Sequence, residues 1–441
     1  MLQDMGGPEF FAATVTVSGG KEGRRRLPTL LRDSHPDLVE EAEDCPGETL
    51  ERQLYRLVPI PGLAEWTGLA FPPLPTGPQK RRAEAMEAEE SGGQNKAPAL
   101  EPGVCIKLYG EDAGLKLNDC LEVIGVPGEP LKGQPTLHVL AYRRLGHADM
   151  APALEPTQHE WPAIRAAGIQ HLSSLLGGDS LAGELLLCSL LSSVYARPEG
   201  VPIGHLCLNL SGLEPSQTAQ LAEQLALLMP KMRRQPLTIS ELNSGSWVPA
   251  KDYEKEQLNF ARLQLSPGTL LLVDETAMEP GTLQAQGLEN LAALKQVLSR
   301  QELHYDFKYH KAPFHTDLNL LCLSEGRSLL QMHWRVKVQP ETSQRSVATE
   351  AELGNILLPL RWLLAAAKEM EYSLAEGLEK AVEEDFVALR KADPNFTPDH
   401  LQRLLTLARL VTLSHGEKVL SAEHWARAKQ LESQRKARLS A

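Results

Sequence analysis

The chain has 441 residues, of which 42% are hydrophobic, and its 57 acidic and 45 basic residues give a net charge of −12. This length exceeds one ordinary domain, so we expect about two to four folded units. The acidic balance argues against broad electrostatic binding to nucleic acid, which needs clustered lysine and arginine, and it favours a protein partner.

The spacing of the cysteines and of the apolar runs indicates in which cellular environment the protein folds. The six cysteines are widely spaced with no Cys-x-x-Cys, so neither a disulfide framework nor a zinc site is predicted. Cys188 and Cys207 lie in apolar runs, where a reduced cysteine packs like a small hydrophobic side chain. The start of the chain lacks a basic stretch followed by an apolar core, and no apolar run is long enough to span a bilayer. We expect a soluble, unsecreted protein in a reducing compartment.

The first third of the chain predicts two small β units joined by a linker. Two β-prone runs predict a partial β domain over residues 1–60. Residues 61–103 are rich in proline, glycine and charge, which predicts a disordered linker. Its Lys80-Arg81-Arg82 run is compatible with nuclear import or with a solvated charge cluster. Short apolar runs separated by turn residues predict a small β module of the OB-like barrel type over 104–150.

The remainder of the chain predicts an α/β core over 159–340 and a helical region over 341–441. After a helical hairpin, strands alternate with helices, which implies a mostly parallel sheet covered on both faces. Predicted strands cover 203–210, 237–239, 270–273, 305–309, 318–323 and 334–338. Predicted helices cover 161–176, 181–195, 216–229, 253–263, 283–298, 347–370, 372–392, 398–414 and 421–436.

One strand of this core ends in paired acids. Residues 269–275 read as a buried strand finishing at Asp274 and Glu275, similar to the strand that holds Mg²⁺ in P-loop ATPases. The matching phosphate loop should lie after the first core strand, at residues 211–218. There, serines replace both glycines, Gln217 replaces the lysine, and only Thr218 is retained. The core therefore resembles an ATPase scaffold whose phosphate-binding loop has lost its glycines and its lysine.

Two interpretations of the paired acids stay open. Asp274 could hold a metal while Glu275 orients a water, or both could be the polar end of a buried strand that caps the next turn. The run 304–310 alternates polar and aromatic residues, which favours a half-buried strand over a metal site. We predict no catalytic, cofactor-binding or metal-binding residues and no cofactor. The alternative is a nucleotide site built from Gln217, Thr218, Asp274 and Glu275.

An ordered set of short motifs runs from the start of the chain to about residue 340. It includes Gln3-Asp4-Met5, Val58-Pro59-Ile60-Pro61-Gly62, Leu176-Gly177-Gly178-Asp179-Ser180-Leu181-Ala182, Val273-Asp274-Glu275-Thr276 and Ser324-Glu325-Gly326-Arg327-Ser328-Leu329-Leu330. Together these motifs resemble the family of mini-chromosome maintenance (MCM) complex-binding proteins, nuclear partners of the replicative helicase. Family members usually carry sequence ahead of the Gln-Asp-Met motif, so we expect the first β domain to be incomplete here.

The resemblance implies a fold and a function. The fold is α/β with additional small β modules, in which a degenerate AAA+/MCM-like core precedes a helical C-terminal region. The function is that of a non-enzymatic nuclear adaptor that binds MCM helicase subunits. It acts in DNA replication, through helicase assembly or unloading from chromatin, and in sister-chromatid cohesion. Neither direct sequence-specific nucleic-acid binding nor a membrane partner is expected. We also expect the core from Val104 onward to fold and bind without residues 1–103.

Two other functions compete with this one. The first is a nucleotide-binding regulatory protein that uses an atypical phosphate loop, as described above. The second is a single-strand nucleic-acid binder acting through the β module, which the net charge and the 5% aromatic content disfavour.

Overall fold

A computed structural model describes residues 1–18, 24–33, 49–69, 103–110, 114–154, 157, 160–341 and 350–440. The described residues form a mixed α/β protein with several sheets. None of the described helices is by itself long and apolar enough to cross a membrane, and the one pair that passes jointly is bent by 115°.

The N-terminal strands form one five-stranded sheet and a separate ribbon. The sheet strands are β1 (Leu2–Ala12), β4 (Thr49–Leu57), β5 (Val104–Tyr109), β6 (Leu121–Leu131) and β7 (Gln134–Arg144). They lie in the order β1-β4-β5-β7-β6, with only the β5–β7 pair parallel. The ribbon pairs β2 (Thr14–Ser18) with β3 (Arg24–Pro28).

This arrangement joins two segments that the sequence analysis treats as separate units. Strand β4, from the 1–60 segment, pairs antiparallel with β5, from the 104–150 segment, over six residue pairs. Leu2, Tyr55, Ile106 and Val139 from both segments share one hydrophobic core. The two segments are therefore one sheet, because each leaves an unpaired strand edge and an uncovered apolar face that the other satisfies.

The central region is built on a second five-stranded sheet whose strands are all parallel. Its strands are β8 (Leu208–Ser211), β9 (Met232–Pro236), β12 (Leu270–Asp274), β15 (Asn319–Ser324) and β16 (Trp334–Lys337). They lie in the order β16-β8-β15-β12-β9. The helices before and among them are α1 (Trp161–Leu175), α2 (Ser180–Leu191), α3 (Pro215–Leu228), α4 (Ile239–Asn243) and α5 (Ala285–Arg300).

The central strands β8, β12 and β15 are buried on both faces, as the apolar runs of β12 and β15 predict. Leu270 and Leu272 of β12 pack into a core with α1, α2, α3 and the C-terminal helices. Leu271 and Val273, on the opposite face, pack into a second core with α5. The alternation of side chains along a strand thus places one apolar run into two cores.

A smaller sheet and the C-terminal helices complete the fold. The small sheet has the order β11-β10-β13-β14 and consists of β10 (Ala250–Asp252), β11 (Gln257–Asn259), β13 (Glu302–Asp306) and β14 (Lys311–His315). The C-terminal helices are α6 (Glu350–Glu369), α7 (Leu378–Ala392), α8 (Pro398–Ser414) and α9 (Ala422–Ser440). A two-residue bridge pairs β17 (Ser373–Leu374) with β18 (Val419–Leu420).

Most predicted elements are confirmed, but the strand predicted over 203–210 begins only at Leu208 and the helix predicted over 372–392 begins at Leu378, and three further predictions need correction. The helix predicted over 253–263 is wrong: that segment holds β11, and the Asp252 carboxylate accepts the Glu254 and Lys255 N–H groups in a tight turn. The strand predicted over 237–239 is displaced to β9, because Thr238 caps α4. The strand predicted over 305–309 ends at Asp306, whose carboxylate accepts the N–H of Lys308, a residue with φ +61°.

The start of the predicted linker is folded. The Met232 N–H donates to the Gly62 carbonyl at 2.9 Å, and the Ala64 N–H donates to the Pro230 carbonyl at 2.9 Å. The Arg361 guanidinium lies 4.0 Å from the Trp66 ring centroid. The prediction of disorder is therefore wrong for 61–69, which packs against the α/β core. Residues 70–102, including Lys80-Arg81-Arg82, lie outside the described residues, and disorder there stays a prediction.

Candidate functional site

The carboxyl ends of the parallel strands form the edge at which ligands bind in open α/β sheets. Here that edge carries a cleft of about 600 Å³. Its walls are Ile239 at the start of α4, the segment 275–283 after β12, and the segment 324–329 after β15. This is the edge where the sequence places the paired acids and the phosphate-loop position.

The phosphate-loop position lies where predicted, between the end of β8 and the start of α3. Three of its backbone donors are already bonded. The Gly212 N–H donates to the Ser324 and Glu325 carbonyls at 2.9 and 3.0 Å, and the Leu213 N–H donates to Ser324 at 3.3 Å. The Glu214 N–H donates to the Gln217 side chain at 3.2 Å. Since a phosphate nest depends on free N–H groups, this loop has no donor among those three to offer.

The two side chains that replace the lysine and keep the threonine belong to the helix start. Gln217 and Glu214 form the reciprocal capping pair of α3. Thr218 is fully buried, and its hydroxyl has no hydrogen-bond partner among the described residues. Exposed Glu214 adds negative charge at the point where a phosphate would bind.

Asp274 and Glu275 hold neighbouring loops in place. Asp274 is 2% exposed; one oxygen accepts the Thr276 N–H at 3.1 Å and hydroxyl at 2.6 Å, and the other accepts Arg234 at 2.7 Å. The Glu275 carboxylate accepts the Ser328 hydroxyl at 2.9 Å and the Leu329 N–H at 3.1 Å. Burial raises the pKa of the Glu275 carboxyl, although the bonds from Ser328 and Leu329 oppose that shift. This geometry matches the interpretation of a polar strand end that caps the next turn.

The cleft is acidic. Glu275, Glu279 and Glu325 line it together with one cation, Arg327. An excess of carboxylates disfavours a polyphosphate, because like charges repel across a few ångströms. A cleft of this charge is better matched to a basic or neutral partner than to a nucleotide.

The polar residues of the 304–310 run are dispersed. The His304 ring lies 2.6 Å from the Gln296 side-chain amide, and Asp306 caps the turn that follows β13. Tyr305 is buried and donates to Asn118 at 3.3 Å, and burial raises the pKa of its hydroxyl to about 12. These contacts are structural.

A further cluster was missed by the sequence analysis. His205, Cys207 and His333 bring three potential metal-ligand atoms within 4.8 Å of one another. They lie at the amino ends of β8 and β16, the opposite edge of the sheet from the acidic cleft. The His-x-Cys spacing was visible in the sequence, but His333 joins it only through the β8–β16 pairing.

Comparison with known proteins identifies the family. Residues 129–439 match the family model described as mini-chromosome maintenance replisome factor. The chain belongs to this family. The resemblance described from the short motifs is thereby confirmed, and the match takes in the parallel sheet, the acidic cleft and the C-terminal helices.

Several mini-chromosome maintenance complex-binding proteins are similar to this chain along most of its length. The mini-chromosome maintenance complex-binding protein of Gallus gallus is 31% identical over all of this chain and 87% of its own length. The protein of the same name from Arabidopsis thaliana is 30% identical over the same shares. The Homo sapiens protein is 35% identical over 74% of this chain and 54% of its own length.

Proposed function

We propose that this protein is a non-enzymatic nuclear adaptor that binds subunits of the MCM complex and acts in DNA replication. The observation that carries the proposal is similarity over the whole chain to proteins named MCM complex-binding protein, from an animal and a plant. The name states what those relatives bind, and the shared length supports the same partner here.

The parallel sheet supports a degenerate AAA+/MCM-like core as the partner-binding scaffold. The loop position after β8 and the acids at the end of β12 both lie at the carboxyl edge of the sheet, where β15 separates the two strands. The bonded loop donors, the capping role of Gln217 and the acidic cleft all oppose nucleotide binding. An ATPase-like scaffold without a functional phosphate-binding loop is consistent with a protein that occupies the place of a helicase subunit.

The cellular part of the proposal follows from the family resemblance. It comprises nuclear localisation, helicase assembly or unloading from chromatin, and sister-chromatid cohesion. Alanine substitution of Lys80, Arg81 and Arg82 in a fluorescent fusion tests the import role of that run. Loss of nuclear accumulation is expected if the run is the import signal.

Reconstitution with purified subunits tests the proposed binding directly. The full chain is mixed with each MCM subunit, alone and in combination, and the products are measured by size-exclusion chromatography with light scattering. We expect a stable complex with at least one subunit that forms equally well with and without ATP and Mg²⁺. Failure to bind any subunit or combination would overturn the adaptor function.

Equilibrium binding of labelled ATP with Mg²⁺ separates the adaptor from the nucleotide-binding alternative. We expect no binding above background for the wild type. Micromolar binding that is abolished by Asp274→Ala and retained by Asp252→Ala, a control carboxylate at the end of β10, would establish the alternative instead.

A further inference from the structure

Three side chains with metal-ligating atoms converge at the amino edge of the parallel sheet. The nitrogen or sulfur atoms of His205, Cys207 and His333 all lie within 4.8 Å of one another. The two imidazole rings are 4.8 Å apart between centroids and are inclined by 68°. In a tetrahedral zinc site the ligand atoms are about 3.3–3.8 Å apart, given Zn–N and Zn–S bonds of about 2.0–2.3 Å. Small side-chain rotations would therefore close the cluster around an ion.

The fold holds these side chains together through the backbone. His205 and Cys207 are two residues apart in extended chain, so their side chains point to the same face of the sheet. Cys207 packs into the core that contains α5, whereas Leu206 packs into the core on the opposite face. The Trp334 N–H donates to the Cys207 carbonyl at 3.0 Å, which fixes His333 beside Cys207 where β16 begins. The positions are thus set by strand pairing and are independent of any ion.

The ring of His205 is a polar group that the protein leaves unsatisfied. Both of its nitrogens are buried, and their contact with the Leu298 backbone lacks the geometry of a normal hydrogen bond within the described residues. Buried polar atoms are nearly always bonded, so an orphaned imidazole marks either a cost in stability or a missing ligand. The Cys207 thiol has only a long contact, 3.7 Å, to the Leu298 carbonyl.

We propose that His205, Cys207 and His333 bind a divalent transition-metal ion, for which zinc is the best match. Two imidazole nitrogens and one thiolate sulfur are the ligand types that zinc takes in proteins, and three protein ligands leave a fourth position for water or a partner's side chain. On binding, the Cys207 thiol loses its proton to solvent and the sulfur forms the metal bond. The partial exposure of His205 and His333 provides the path by which an ion enters.

Some charges near the cluster favour a bound metal ion and others oppose it. Burial, with the nearby charges of Arg197 and Arg403, lowers the pKa of His205 to about 4, and the Leu298 backbone opposes that shift. Burial likewise lowers the pKa of His333 to about 3. The Arg403 charge opposes a bound cation, but it favours the Cys207 thiolate, whose pKa burial alone raises. The negative charge of the thiolate also offsets one of the ion's two positive charges.

Such an ion would tie β8 to β16 at the amino edge, far from the acidic cleft. The proposal is independent of the proposed function, because MCM binding needs no metal and the metal test involves no partner.

The test uses the full chain, freed of metal by a chelator and then titrated with Zn²⁺ or Co²⁺ alone. We expect about one Zn²⁺ per chain after dialysis, as for a single tetrahedral site. Co²⁺ should give the near-ultraviolet charge-transfer band of a thiolate ligand. Cys207→Ser should remove that band, and His333→Gln should weaken zinc binding at least tenfold.

Matched controls separate the site from nonspecific binding. Cys188→Ser and His171→Gln change buried residues outside the cluster and should keep both the stoichiometry and the band. If the cluster variants fail to fold, the band of the wild-type protein still decides the question. Absence of a thiolate band in the wild type, or unchanged zinc affinity in folded Cys207→Ser, would overturn the proposal.

Discussion

At the residue scale, the carboxylates of the candidate site act as structural acceptors. Asp274 satisfies the N–H and hydroxyl of Thr276 and the guanidinium of Arg234, while Glu275 satisfies Ser328 and Leu329. Each bond fixes a loop at the carboxyl edge of the sheet. The paired acids that suggest a metal site in the sequence therefore have partners that account for them.

Asp274→Ala is expected to reduce stability without changing nucleotide binding. Removing the buried carboxylate leaves the Thr276 donors without an acceptor, which costs about 1–3 kcal/mol. Urea unfolding followed by tryptophan fluorescence measures the change. Asp252→Ala, in a less buried turn, should cost less, and equal losses in the two variants would contradict the structural role of Asp274.

Acid should destabilise the protein through His147. Burial, reinforced by the charges of Lys368 and Lys231, lowers the pKa of this ring from 6.5 to about 3. Between these values the unfolded chain binds the proton and the folded chain does not. The stability that the neutral ring contributes is thus present above pH 6.5 and is lost as pH falls toward 3.

The measurement compares wild type with His147→Gln at pH 7 and pH 5. Between these pH values the wild type should lose roughly 1–2 kcal/mol more of its unfolding free energy than the variant. His310→Gln, in an exposed turn, is the control and should follow the wild type. Parallel losses in wild type and His147→Gln would show that this ring does not govern the acid response.

At the element scale, the turn between α1 and α2 is bonded to the last helix of the chain. Asp179 caps α2, because one carboxylate oxygen accepts the Ala182 N–H at 3.0 Å. The other oxygen accepts the guanidinium of Arg438, a residue of α9, at 2.5 Å. Gly177 and Gly178, with φ of +72° and +91°, make the turn before it. One acid thus joins the hairpin to the last helix.

Gly183→Ala is expected to force these helices apart. A Cβ at Gly183 would lie 2.2 Å from the Ser173 Oγ and 2.8 Å from the Ser173 backbone nitrogen, so the backbone must move. Overpacking of this kind costs about 1–3 kcal/mol. Gly354→Ala is the matched helical control; it meets nothing within 4 Å and should stabilise by up to about 1 kcal/mol. Thermal denaturation measures both, and the same sign for the two changes would refute the close contact.

At the scale of the whole molecule, the N-terminal sheet is bonded to the α/β core. The Gln3 side chain donates to the Leu258 carbonyl at 2.8 Å, and the Asp4 carboxylate accepts the Leu258 N–H at 2.6 Å. The Asn118 amide donates to the Tyr305 hydroxyl at 3.0 Å. These buried contacts connect three regions that are distant in the sequence.

Deleting residues 1–69 is therefore expected to destabilise the remaining chain. The deletion removes β1 and β4, exposes the edge of β5 and uncovers its hydrophobic core. This replaces the expectation that the core from Val104 onward folds alone. Replacing 71–101 with a Gly/Ser segment of equal length should leave the melting temperature unchanged. Differential scanning calorimetry measures both, and a deletion variant that melts like the full chain would contradict this coupling.

The sequence by itself determined the elements whose side-chain pattern is local. Leu270–Asp274 and Pro215–Leu228 were predictable because continuous burial and helical spacing leave a readable apolar pattern. The phosphate-loop position and the loss of its glycines and lysine could also be placed, since both depend on residues adjacent along the chain. The family was readable from motif order.

Only the tertiary structure decided which distant segments meet. The union of β4 with β5, the bonds of Glu275 to the 324–329 segment, and the approach of His333 to Cys207 depend on strand pairing across many residues. The 253–263 segment was misread because a turn at Asp252 and the burial of Leu258 outweigh local helix propensity. Local sequence sets the preference of each element, whereas packing and hydrogen bonding between elements select its partners.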